Sequence, residues 1–320
     1  MDLRSVIQGY GAYLPKRRLT NAELTTMVDT SDEWITQRTG IKERRIVDPQ
    51  ETVADLAVFA AQYALKAANM SASDIDLIVC ATSTPDRAIP AVATAVQARL
   101  GITQGAAFDV QAACAGFIFV LSVADKFLAS GAHRRALVIG VDIMSRLIDW
   151  KDRSTCVLFG DGAGAVVLEA FPHEKNPENR GSLGTKLRSD GRYGDKLYAD
   201  GTPGKGHLRM VGKEVFRYAV EFMSEIAEDI LKEQHMTPAD VDWFIPHQAN
   251  QRIIDASAEK LGIEPEKVII TVGQHGNTSA ASIPLALADG AEKNLFKPGD
   301  IILMDTFGAG FAWGGALIRW

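Results

Sequence analysis

The chain has 320 residues, 47% apolar and 23% charged, and its 34 Lys and Arg against 40 Asp and Glu leave a net charge of −6. Such a composition supports a large core and excludes a disordered or fibrous chain. The acidic balance excludes a general nucleic-acid or anionic-membrane binder, although a local basic patch can sit inside that sum.

In chain order, the opening stretch MDLRSVIQGYGAYLP lacks the apolar centre of a signal peptide. No run approaches the roughly 18 apolar residues of a membrane span. Short apolar runs at 75–81, 106–111, 136–141 and 163–169 read as buried strands, and 52–68, 90–100 and 116–130 as helices. Strands alternating with helices of this length imply an α/β protein. Residues 173–207 are rich in Pro, Gly, Asn and charge and read as an excursion, with irregular strands near 183–188 and 196–199.

The second half then repeats the first. Ser73-Asp74-Ile75-Asp76-Leu77-Ile78-Val79 matches Ala239-Asp240-Val241-Asp242-Trp243-Phe244-Ile245. A helical stretch ending in Leu-Gly-Ile follows each, at 100–102 and 261–263, and Phe159-Gly160-Asp161-Gly162 corresponds to Phe307-Gly308-Ala309-Gly310. The offset of about 160 residues is too long for a solenoid repeat. It predicts two α/β halves about a pseudo-dyad, 1–172 and 173–320.

The cysteines, Cys80, Cys114 and Cys156, have neither disulfide nor metal-ligand spacing, which points to a reducing, cytoplasmic location. Cys80 and Cys156 sit in apolar runs as small buried side chains. Cys114 lies where strand FDVQ turns into the helix AGFIFVLSVADKFLASG, so unpaired N–H groups there favour a thiolate. By position alone it is either a nucleophile or a structural cysteine. His133, His173, His207 and His235 fall in turns or polar stretches, and His275 in a glycine-flanked turn. His247, in Phe244-Ile245-Pro246-His247-Gln248-Ala249-Asn250, follows a strand where open α/β sheets place ligands. Asn277 falls near the point in the second half that Cys114 holds in the first. A Cys–His–Asn set suits thioester chemistry, with a thiolate nucleophile and neutral donors for an oxyanion or enolate. Gly160-Asp161-Gly162-Ala163-Gly164 enters a strand and lacks the Lys-Ser/Thr of a phosphate loop, so it reads as close strand packing.

At these residues the sequence resembles the 3-oxoacyl-acyl-carrier-protein synthases of type III. The resemblance is carried by Thr30-Ser31-Asp32-Glu33-Trp34, Arg38-Thr39-Gly40-Ile41, Cys114-Ala115-Gly116-Phe117, Phe159 through Ala165, Pro246-His247-Gln248-Ala249-Asn250, Gly276-Asn277-Thr278-Ser279-Ala280 and Phe307-Gly308-Ala309-Gly310-Phe311. It implies a thiolase-like fold, two pseudo-dyad-related βαβ-type halves in α-β-α-β-α layers. It also implies a homodimer that needs no cofactor or metal, its substrates being a short-chain acyl-CoA, acetyl-CoA foremost, and malonyl-acyl carrier protein.

By this resemblance Cys114 takes the acyl group, with backbone N–H groups of Cys114 and Ala309 as the oxyanion hole. His247 and Asn277 hydrogen-bond the malonyl thioester oxygen during decarboxylation, and Phe307 walls the carboxylate. Trp34 and Arg153 match positions that sandwich the CoA adenine, as flat stacking groups do; a structural role at the solvent edge suits each alone equally. Thr30, Arg38, Gly212 and Asn250 match the CoA and pantetheine path. Arg252, Arg217 and Lys260 would form a basic rim for an acidic carrier protein, though as isolated charges they read as solvated surface. Ile89 stands where acetyl-preferring relatives often carry an aromatic that closes the acyl pocket, which opens the choice of primer to longer or branched chains. Two rival readings are a same-fold condensing enzyme of specialised metabolism with another primer, and a silent scaffold that binds carrier protein; keeping Cys114, His247 and Asn277 together argues against the scaffold.

Overall fold

The computed structural model describes residues 3–176, 179–202 and 205–320. Two sheets carry the chain. In the first, Leu3–Tyr13, Asp161–Pro172, Arg135–Ile143, Leu77–Ala81 and Ala106–Val110 lie side by side in that order. In the second the order is Trp243–Pro246, Ile301–Gly308, Ala312–Arg319 and Gly181–Ser189.

The repeat read from sequence is physical. Leu77–Ala81 runs parallel to Arg135–Ile143, as Trp243–Pro246 does to Ile301–Gly308. Arg135–Ile143 is antiparallel to Asp161–Pro172, and Ile301–Gly308 to Ala312–Arg319. The outer partners are Leu3–Tyr13 and Gly181–Ser189, each antiparallel to its neighbour. Even the fifth strand, Ala106–Val110, has a remnant in the second half, a single parallel bridge between Phe244 and Val268.

The excursion at 173–207 therefore needs correction: its strand near 183–188 is a nine-residue member of the second sheet and the counterpart of the first strand of the chain. Most of its side chains are only partly buried, so Gly, Lys, Thr and Arg are tolerated and the segment lacks an apolar signature. What lies beyond it is a small hairpin, Leu197–Ala199 with Leu208–Met210. Residues 177, 178, 203 and 204 of the stretch lie outside the described residues.

Five layers follow from burial on both faces of both sheets. Along Arg135–Ile143, Ala136 and Val138 face inward while Leu137, Ile139 and Val141 face outward, so the strand reads as one apolar run. The helices Gly116–Ala129 and Ser282–Glu292 fill the central layer. Phe117 and Leu121 of one and Ile283 and Leu287 of the other share a cluster with Val138 of the first sheet and Met304 of the second. The helices Val53–Ala67 and Val92–Arg99 cover the first sheet outside, and Gly212–Glu233 and Gln251–Leu261 cover the second. Val53–Ala67 begins with a reciprocal capping box between Thr52 and Asp55.

Each central helix starts from the same kind of turn. Ala113–Ala115 precedes one and Ser279–Ala281 the other, and both begin on a non-glycine residue at positive φ, Ala113 at 48° and Ser279 at 52°. The turns meet at the pseudo-dyad. Gly140 lies so close to the second that a Cβ would stand 2.2 Å from the Ala280 carbonyl oxygen, so only glycine fits.

Candidate active site

Cys114 is the central residue of the first of these turns, at the end of the strand Ala106–Val110. Thr306 Oγ1 donates to its carbonyl oxygen at 3.0 Å, tying the second sheet to this turn. Asp142 joins the halves from behind: it accepts from Ser83 N, Thr82 Oγ1 and Thr84 Oγ1 in the first half and from Ala280 N in the second.

His247 follows the strand Trp243–Pro246, its backbone N–H bound to Asp305 O at 2.8 Å. Its ring is buried, with Nδ1 2.6 Å from Ser282 Oγ. Gln248 staples this strand end in place: its amide donates to Pro246 O and Ile269 O and accepts from the backbone of Thr271 and Val272. Asn277 is clasped by the other half, donating from N to Leu158 O at 2.8 Å and accepting on its own O from Gly160 N at 3.0 Å. Its side-chain Oδ1 accepts from Ser279 N at 2.9 Å, which leaves the amide Nδ2 as the free end, a donor.

Cys114, His247 and Asn277 line one tunnel of about 510 Å³ together with Trp34, Arg38, Gly212, Asn250, Arg252 and Phe307. Trp34 is set by the helix Asp32–Thr39, whose N-cap Ser31 accepts from Trp34 N. The Arg153 guanidinium lies 4.8 Å over the Trp34 ring, and that of Arg38 at 5.6 Å. Gly212 opens the helix Gly212–Glu233 at the tunnel wall, and Asn250 caps Gln251–Leu261 by accepting from Ile253 N. Arg252 stands over Phe216 at 5.4 Å.

The other expected residues lie off the tunnel. Thr30 Oγ1 is buried without a hydrogen-bond partner near the Trp34 helix. Ala309 sits in the turn behind Phe307, packed with the cluster that holds Phe311. Arg217 stacks on Tyr218 at 4.4 Å. Lys260, exposed at the far end of the Arg252 helix, is about 12 Å along its axis from Arg252. Ile89 is 84% exposed and away from the tunnel of its own chain. Sequence reasoning missed Lys213 at the lip and the hairpin residues Leu197 and Met210 in the wall. It also missed the supports Thr306, Ser279, Ser282 and Asp142. For Lys213 the amphipathic periodicity of Gly212–Glu233 is a signal that could have found it.

Burial at the tunnel floor pushes the Cys114 thiol up to about 12, Asp142 adds to that, and the Ser279 hydroxyl and the N–H of Cys114 itself oppose it without prevailing. Burial thus opposes the thiolate that the helix N-terminus favours. Burial also lowers His247 to about 3, so the imidazole is neutral. The site thus places a cysteine beside two neutral donors. Such a set can exchange thioesters and stabilise negative charge on an oxygen.

The sequence model described as 3-oxoacyl-[acyl-carrier-protein (ACP)] synthase III matches residues 108–191, and that of its C-terminal part matches 231–320. A protein of Rhodospirillum centenum named beta-ketoacyl-[acyl-carrier-protein] synthase III is 55% identical over 324 residues, covering 100% of both chains. The crystal structure of 3-oxoacyl-[acyl-carrier-protein] synthase III from Aquifex aeolicus is 47% identical with a TM-score of 0.94, covering 99% of this chain and 100% of that one. The structure of the Pseudomonas aeruginosa enzyme is 41% identical with a TM-score of 0.93, covering 99% and 98%. The chain belongs to the 3-oxoacyl-[acyl-carrier-protein] synthase III family.

Proposed function

We propose that this enzyme joins a short-chain acyl group from CoA, acetyl foremost, to malonyl-acyl carrier protein, with loss of CO₂, in the first condensation of fatty acid synthesis. The observation that carries the residue roles is the orientation of Asn277. Its oxygen is spent on Ser279, so a donor faces the tunnel beside His247 and Cys114.

In the first half-reaction the Cys114 sulfur attacks the acyl-CoA carbonyl, the carbon–sulfur bond to CoA breaks, and the thiol proton leaves on CoA. The attacking form is the thiolate, so the proton leaves the sulfur as the new bond forms and ends on the departing CoA thiol, with none consumed overall. In the second, the malonyl carboxylate leaves as CO₂ and its bonding electrons form an enolate. The His247 Nε2–H and the Asn277 amide stabilise the enolate oxygen. The enolate carbon attacks the acyl-cysteine, the Cys114 sulfur departs, and a proton restores the thiol. Phe307, 4% exposed, supplies an apolar wall that disfavours the carboxylate over CO₂. The thioesters supply the chemistry, and the mechanism calls on no metal or cofactor.

Trp34, Arg38 and Arg153 would hold the nucleotide end of CoA, with Thr30 beside the Trp34 helix, Gly212 and Asn250 along the pantetheine path and Ala309 N–H in the oxyanion hole. Arg252, with Arg217 and Lys260 further out, would meet the acidic carrier protein. A cytoplasmic homodimer suits the chain. Its three thiols are free, and no helix among the described residues is long and apolar enough to cross a membrane. Ala106–Val110 is a partly buried apolar strand at the sheet edge, and an exposed Ile89 lies in the loop before the adjoining helix. Across that edge Ile89 would bound the partner's acyl pocket.

The test incubates purified protein with labelled acyl-CoAs and locates the label by peptide mass. Cys114 is expected to be acylated, and Cys114→Ala to take up nothing. Asn277→Ala is expected to acylate yet fail to decarboxylate malonyl-carrier protein. Equal loss of both half-reactions would contradict the division of roles.

A further inference from the structure

His247 presents two ring nitrogens, and which of them carries the proton decides whether it can donate into the tunnel. Nδ1 lies 2.6 Å from Ser282 Oγ, and both residues are buried. The same oxygen accepts the backbone N–H of Gln248 at 3.3 Å. A serine hydroxyl has one proton to give, and no acceptor other than Nδ1 lies within hydrogen-bond reach of it among the described residues. Were Nδ1 protonated, Oγ would accept two N–H bonds while its own proton stayed buried without a partner, an arrangement buried hydroxyls avoid.

We propose that Ser282 is a positioning residue: its hydroxyl donates to Nδ1 of His247 and so fixes the proton on Nε2, the nitrogen left to face the tunnel. The inference rests on the reading of His247 as a donor in the decarboxylation step. It makes one short segment responsible for aiming both donors. Ser279 N occupies the acceptor end of Asn277, and Ser282 Oγ, three residues later, occupies the acceptor end of His247. Both partners sit at the start of the same central helix, so the rigidity of the core is passed to both donors at once. Because burial holds the ring neutral, an imidazolium with two N–H groups does not make the tautomer irrelevant.

The experiment labels the full-length protein with ¹⁵N-histidine and records long-range ¹H–¹⁵N correlations near pH 7, with His247 assigned by comparison to His247→Gln. The expected spectrum shows a bare Nδ1 and a protonated Nε2; the reverse assignment overturns the proposal. Ser282→Ala is expected to cut the decarboxylation rate by about 10-fold or more, while acyl transfer to Cys114 keeps its wild-type rate. Wild-type decarboxylation in that variant also overturns it. Ser282→Cys, close in size and a weaker donor, is expected to fall between the two and decides the matter if the alanine chain does not fold. A wild-type protein that shows the Nε2–H signature but decarboxylates no malonyl thioester would strike the proposed reaction and leave the tautomer standing.

Discussion

Gly308 rests against the backbone of Cys114: a Cβ placed on it would lie 2.9 Å from the Cys114 nitrogen and 2.9 Å from that of Ala115. The closing strand pair of the second half thus abuts the Cys114 N–H, one of the two proposed for the oxyanion hole. Thr306, two residues earlier, binds the Cys114 carbonyl from the same strand. The turn that carries Cys114 is therefore held on one side by its own half and on the other by the repeat.

Gly308→Ala should displace that backbone, because the atoms a methyl group meets are main chain and cannot swing aside. Loss of a correctly placed oxyanion donor typically slows acyl transfer by about 10² or more. The expected result is a chain with near-native circular dichroism whose Cys114 labels from acyl-CoA on the order of 100-fold more slowly. A wild-type labelling rate would detach Gly308 from the oxyanion site.

A second expectation concerns acid. His247 titrates at about 3 in the folded chain because it is buried, against about 6.5 when unfolded. The unfolded state therefore gains a proton that the folded state refuses, and this contribution to stability is lost as pH falls from 6.5 toward 3. The linkage amounts to about 2 kcal/mol by pH 5. His275, lowered to about 4 by burial, acts in the same direction, while Asp142 and Asp305, raised by burial, act in the opposite one. Only a difference between two chains isolates His247. Unfolding free energies from urea titration at pH 7 and pH 5 are expected to fall more for wild type than for His247→Gln. Equal slopes would mean that the ring is not held neutral.

How much of this was legible in the sequence depends on what each residue does. Cys114 and His247 are legible because each follows an apolar strand and precedes a helix, and Asn277 because the repeat puts it near the point that Cys114 holds in the first half. The first strand of the second half, Gly181–Ser189, was read as part of an excursion. An edge position half open to solvent does not demand the apolar run that marked its interior neighbours. Ser279, Ser282 and Thr306 were passed over for a different reason. They act through single buried hydrogen bonds, and a serine in an alanine-rich turn has no spacing or charge to announce it. The positive φ of Ala113 and Ser279 is hidden in the same way, since neither residue type signals that conformation. At Cys114 the sequence shows the helix N-terminus that favours a thiolate but not the burial that opposes it.

The carrier protein gives the last expectation. Arg252 and Lys213 stand at the lip of the tunnel, and Arg252 is steadied by the Phe216 ring. In a chain of net charge −6, an acidic partner is repelled at long range and must be captured by such local cations. Arg252→Glu is expected to raise the KM for malonyl-carrier protein by roughly 10-fold, the worth of about 1.4 kcal/mol. Acylation of Cys114 from CoA should be spared. Lys260→Glu, at the far end of the same helix, should do much less. Added salt screens exposed charges over about 10 Å at 0.1 M, so the wild-type KM should climb with ionic strength while that of Arg252→Glu stays flatter. A KM unmoved by the reversal, or a salt dependence identical in the two chains, would remove Arg252 from the docking surface and leave it to the CoA path that it also borders.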